Sequence, residues 1–108
     1  MTRDIHLHGI DIPAQQLAAL CRRWRITELA LFGSILRDDF RPDSDVDVLT
    51  TFAPDVEWSL LDHVRMEQEM ADLFGRRVHL VSRRAIERSH NWIRRQAILN
   101  TAQVVHVS

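Results

Sequence analysis

Residues 29–52 read LALFGSILRDDFRPDSDVDVLTTF. Two apolar runs, 29–32 and 46–52, bracket a polar segment that opens at Gly33 and contains Pro42. The first run, extended back to Ile26, has the length and composition of a buried strand; the second is rich in β-branched residues and predicts another. Glycine at the end of the first strand permits a positive φ and a close backbone approach to a ligand. Ser34 is placed to cap a short helix over about 35–39, whose free N–H groups would suit a phosphate. Asp45 and Asp47 stand two apart where the second strand begins. Period-two geometry puts both carboxylates on one face, with Val46 and Val48 on the other. Crowded carboxylates repel each other, and a hard divalent cation relieves that repulsion; Mg²⁺ typically takes one or two carboxylates plus substrate phosphates. Either motif alone is ordinary, since most Gly-Ser turns are caps and an Asp-x-Asp pair often just polarises a strand start. Their succession on consecutive strands, about a dozen residues apart and linked by a segment containing Arg37, is far more specific. If those strands are neighbours, the turn and the aspartates share one edge of the sheet.

Outward from this stretch, Pro13 suits the first turn of a helix over roughly 13–24, with Leu17, Leu20, Cys21 and Trp24 at helical spacing. The residues before it, 6–11, read as a short extended lead-in. After Pro54, Leu60, Leu61, Val64, Ala71 and Phe74 mark the stripe of a helix over 58–74, stopped by Gly75. Residues 77–81 predict a third strand, 83–98 one continuous helix, and 103–107 a final short strand. The predicted order is α-β-α-β-α-β-α-β, an α/β (α+β) arrangement in which a small mixed sheet is flanked by helices. One domain over 1–108 accommodates it.

Of the 108 residues, 45% are hydrophobic and 27% charged, values ordinary for a globular protein. No apolar run nears the roughly 20 residues of a membrane helix, and no signal-peptide pattern opens the chain. A single cysteine fits a reducing cytoplasm. The net charge of −1 conceals a polarised chain: residues 1–75 hold seven arginines and fourteen acids, residues 76–108 seven arginines and one acid, Glu87. There is no lysine. Arg84, Glu87, Arg88, Asn91 and Arg95 fall within one broad face of the last predicted helix, with Arg83 and Arg94 beside it. Such a face suits an acidic protein surface. It lacks the zinc and aromatic-rich patterns of nucleic-acid modules, so direct nucleic-acid binding is the weaker expectation.

The pattern Gly33-Ser34-x-x-Arg37, then Ser44-Asp45-x-Asp47, resembles the signature of the DNA-polymerase-β-like nucleotidyltransferase superfamily. The segment Phe74-Gly75-Arg76-Arg77-Val78-x-Leu80-Val81 resembles its minimal nucleotidyltransferase branch, and the likeness runs over about 12–107. The resemblance implies a mixed sheet flanked by helices, ATP as substrate, and Gly33, Ser34 and Arg37 at its phosphates. It implies Mg²⁺, with Mn²⁺ an alternative, on Asp45 and Asp47. It also implies a HEPN-type toxin protein as partner, because family antitoxins transfer AMP from ATP to a toxin tyrosine.

His79 departs from the family pattern, which has a third carboxylate there. Imidazole can accept a proton near neutral pH and can ligate metals, but it adds no negative charge to the site. Two readings follow: His79 replaces the missing base, or the chain has lost turnover and acts by binding its partner. Asp55 and Glu57 are candidates for the missing charge. Among the remaining residues, His6 and His8 share a face if the lead-in is extended, and His106, opposite in parity to Val105 and Val107, should be exposed. Cys21 is a core residue. Trp58 and Trp92 are candidates for a partner surface, which would equally serve a homo-oligomer.

Overall fold

The computed structural model describes residues 1–108. Strands β1 (Ile5–Leu7) and β2 (Ile10–Ile12) precede helix α1 (Ala14–Arg23) and strand β3 (Ile26–Phe32). A single 3-10 turn, Gly33–Leu36, leads toward β4 (Val46–Phe52). Then come α2 (Leu60–Phe74), β5 (Val78–Ser82), α3 (Arg83–Glu87), α4 (Trp92–Thr101) and β6 (Gln103–Val107). The main sheet has the order β5-β4-β3-β6, with β4 and β5 parallel and the other neighbours antiparallel. This is the small mixed sheet flanked by helices that the sequence predicts.

Both faces of the sheet are covered, which is why β3 and β4 are nearly continuous apolar runs. Leu29, Leu31, Val46 and Val48 face a large core closed by α1, α2 and the β1–β2 hairpin. Ala30, Phe32 and Leu49 face a smaller one made with Ile86 of α3 and Ile98 of α4. Cys21 is buried in the large core, and burial pushes its thiol up to about 12.

Several expectations are corrected. Residues 6–11 belong to a hairpin, not a single extended segment: His8 and Gly9 both take positive φ, the geometry of a tight two-residue turn. His6 therefore pairs with Asp11 on the strand, while His8 sits in the turn against Phe40. The apolar stripe of α2 is Met66, Met70 and Phe74. Leu60, Leu61 and Val64 are exposed, because at about 100° per residue they lie from roughly a quarter to half a turn away from that ladder. The predicted 83–98 helix is broken. Asn91 accepts a hydrogen bond from the Arg94 amide and starts α4 anew, so the arginines do not share one face.

His106 is buried rather than exposed. Leu29 pairs with His106 but Ala30 pairs with Val104, which leaves Val105 as an extra residue in β6. That bulge reverses the alternation and turns His106 into the large core, where Nδ1 meets Thr2 Oγ1 at 2.7 Å. Trp58 is not a free surface: it packs edge-on against Trp24, with centroids 5.2 Å apart, and donates to the Trp24 carbonyl.

Candidate active site

Gly33 leaves β3 with φ +77°, and Ile35 in the following turn is fully buried, which pins the turn to the core. The expected helix over 35–39 is only this 3-10 turn, and Ser34 lies inside it rather than capping it; no side chain caps its start. What the turn can offer a phosphate is therefore its own half-buried backbone, not the dipole of a helix. Across the ladder, Phe32 pairs with Asp47, so the turn and the first carboxylate of β4 are neighbours. A Cβ built on Gly33 would stand 2.3 Å from Asp47 Oδ2. Glycine is required here twice over, by conformation and by space.

Asp47 shares its face with Leu49, beneath α4, and its side chain is only 25% exposed. Burial pushes its carboxyl above the usual carboxylate range; His79 opposes that shift, Asp45 adds to it, and Arg94 opposes it. His79 is the register partner of Asp47 on β5, with Nδ1 3.5 Å from Asp47 Oδ1. Asp45 stands just before β4, more exposed, and its Oδ1 lies 3.1 Å from Arg77 Nε. Arg37 reaches Asp39 with Nε at 3.2 Å and remains mostly exposed.

A cleft of about 420 Å³ opens here, walled by Gly33, Ser34, Arg37, Asp47 and Arg94. Its walls include neither Asp45 nor His79. Arg94 is the residue that sequence reasoning placed only beside a basic face. Nothing in its local sequence marks it, because its position depends on how α4 docks through Ile98. Asp55 and Glu57 are excluded as the missing charge. They follow the far end of β4, where Asp55 pairs with Arg25 and Glu57 lines a separate cleft of about 590 Å³. That larger cleft carries neither the glycine turn nor the aspartates.

No three His, Cys, Asp or Glu side chains gather closely enough to hold a metal ion unaided. Asp47 in the wall of the cleft and Asp45 two residues before it nonetheless match the donor set of a Mg²⁺ ion that completes its shell with substrate oxygens. The imidazole of His79 widens the fit to Mn²⁺.

A family model described as a nucleotidyltransferase domain matches residues 14–105. The protein adenylyltransferase MntA of Thermococcus cleftensis is 35% identical over 68 residues, which are 63% of this chain and 67% of that protein. A Methanocaldococcus jannaschii protein provisionally named as a protein adenylyltransferase is 30% identical over 67 residues, 62% of this chain and 66% of its own. The chain thus spans about two thirds of the length of these relatives. A solved structure provisionally described as a minimal nucleotidyltransferase is 33% identical, with TM-score 0.63 over 82% of this chain and 84% of that one. A toxin–antitoxin structure with AMP-PNP is 18% identical, with TM-score 0.66 over 87% and 73%, and shares the fold.

Proposed function

We propose, from the premise that this chain belongs to the nucleotidyltransferase domain family and to its minimal branch, that it transfers AMP from ATP to a hydroxyl of a partner protein. The partner is a HEPN-type toxin, which the transfer neutralises. The adenylyltransferase names of its relatives and the toxin–antitoxin assembly sharing its fold support this reading. The observation that carries it is Asp47 Oδ2 lying where a Gly33 side chain would be, which joins a phosphate-binding turn to a carboxylate. ATP as substrate and one free, buried cysteine support a cytoplasmic setting.

The backbone of Gly33 and Ser34 approaches the phosphates, and Arg37 and Arg94 offset their charge from the cleft walls. Mg²⁺ or Mn²⁺ on Asp45 and Asp47 would supply Lewis-acid neutralisation of the triphosphate. Arg77, now paired with Asp45 at 3.1 Å, would have to give way to the cation. With its Nδ1 toward Asp47, His79 keeps Nε2 available to take the proton of the attacking hydroxyl. The new bond joins that oxygen to the α-phosphorus, the bond to the bridging oxygen breaks, and pyrophosphate leaves. Positioning and electrostatics are the protein's share.

A second reading is favoured by His79 itself: a neutral ring in place of a carboxylate leaves the cation more weakly held, so the chain would act by docking alone. Transfer of label from α-labelled ATP to a co-expressed HEPN-type protein separates the two, with Asp45→Ala/Asp47→Ala as control. Label that disappears in the control supports the enzyme. Transfer by His79→Asp but not by the natural chain supports the silent relative.

A further inference from the structure

α4 packs on the sheet through buried Ile98 and its neighbour Leu99, and its first turn presents Trp92 and Ile93, 63% and 67% exposed. Both are large apolar side chains that neither core uses. The other exposed apolar group on a helix, Leu60, Leu61 and Val64, lies on α2, away from the aspartates. Trp92 and Ile93 adjoin the candidate active site directly. Arg94, the next residue, lines the cleft, and Ala97, one turn beyond Ile93 on the same helical face, lines it too.

The charge around them has one sign. Arg94 and Arg95 follow the pair directly and Arg88 closes α3 just before it, while Glu87, the sole acid after residue 75, is within 3.8 Å of Arg83. Tryptophan with arginine at an apolar centre is the composition of interface hot spots. A lone exposed aromatic offers no stacking platform for successive bases, which disfavours a nucleic-acid strand.

We infer that the first turn of α4 is the docking surface for the acceptor protein, which brings an apolar anchor set among carboxylates. The anchor covers Trp92 and Ile93, the carboxylates face Arg88 and Arg95, and the acceptor hydroxyl is delivered over Arg94 to the cleft. The inference rests on the transfer reading above for the identity of the acceptor, and it goes further in naming the surface and its chemistry.

The test measures binding of the same co-expressed HEPN-type protein to the Asp45→Ala/Asp47→Ala chain, in which turnover is removed. Against that reference, adding Trp92→Ala/Ile93→Ala weakens binding by about 30-fold, and adding Arg88→Glu/Arg95→Glu weakens it comparably with a reduced salt dependence. Thermal melting and ATP affinity stay unchanged in Trp92→Ala/Ile93→Ala, whose side chains are exposed and outside the cleft. In the active chain the acceptor KM rises while the ATP KM does not. Equal binding by the substituted and reference chains overturns the inference, as does no binding by the reference chain. Self-association that requires Trp92, or an RNA strand that competes for the same residues, overturns it in favour of those occupants. Binding that depends on α4 without any transfer by the natural chain would sink the enzyme reading and leave the docking surface standing.

Discussion

Gly33 and Asp47 occupy each other's space: the carboxylate of one stands 2.3 Å from where the other would carry a Cβ. This relationship connects β3 to β4 at the candidate site and makes it sensitive to a single methyl group. Gly33→Ala must both hold an L-residue at φ +77° and displace the carboxylate. The conformational part alone costs about 1–2 kcal/mol. A lower melting temperature and loss of ATP binding are expected. Calorimetry and nucleotide titration check them, and unchanged ATP affinity would separate the glycine from the site.

Asp47→Asn keeps the shape of the side chain and removes its charge. AMP transfer should fall by about two orders of magnitude or more, the scale seen when one electrostatic contribution to a transition state is deleted. Circular dichroism should report an intact fold. Wild-type turnover in this variant would remove Asp47 from the chemistry.

Arg94→Gln should raise the ATP KM while leaving stability near the natural value, because Arg94 is exposed and its partner is the cleft. Steady-state kinetics against ATP make the comparison. An unchanged KM would mean that α4 contributes nothing to nucleotide binding.

His106 carries an acid-sensitive share of stability. Burial is the largest cause of its lowered pKa, aided by the positive N-terminus. A depressed folded value means that the unfolded chain binds the proton first. The stabilisation is therefore complete above the unfolded value of about 6.5 and is lost as pH falls toward the folded one. His6 has a raised value, first through its hydrogen bond to Asp11, so its share has the opposite sign and lies at the alkaline side. The difference between the natural chain and His106→Leu cancels His6. Denaturant melts from pH 7.5 to 5 should show the natural chain losing stability more steeply than the variant; parallel curves would refute this.

Cys21 should resist alkylation in the native protein and react stoichiometrically in denaturant, since burial both excludes reagent and disfavours the thiolate. Mass spectrometry of iodoacetamide-treated samples decides it. Rapid native labelling would mean that α1 opens readily.

The sequence by itself determined β3 and β4, with the glycine turn closing one and the aspartates opening the other, because those signals are local. Apolar runs end at glycine and proline, and the alternation within β4 sends Val46 and Val48 one way and Asp47 the other. Setting His79 beside Asp47 took the parallel pairing of β5 with β4, since spacing within one strand fixes no register against another. Tertiary structure alone decided the rest, and in each case the reason is a contact distant in sequence. One extra residue at Val105, meaningful only against β3, reversed His106 from surface to core. The buried face of α2 was chosen by what the sheet could accept, so methionines went in and Leu60, Leu61 and Val64 stayed out. Arg94 reached the cleft because Ile98 seats α4 against Phe32 and Leu49, a packing choice between segments more than 40 residues apart that no local pattern encodes.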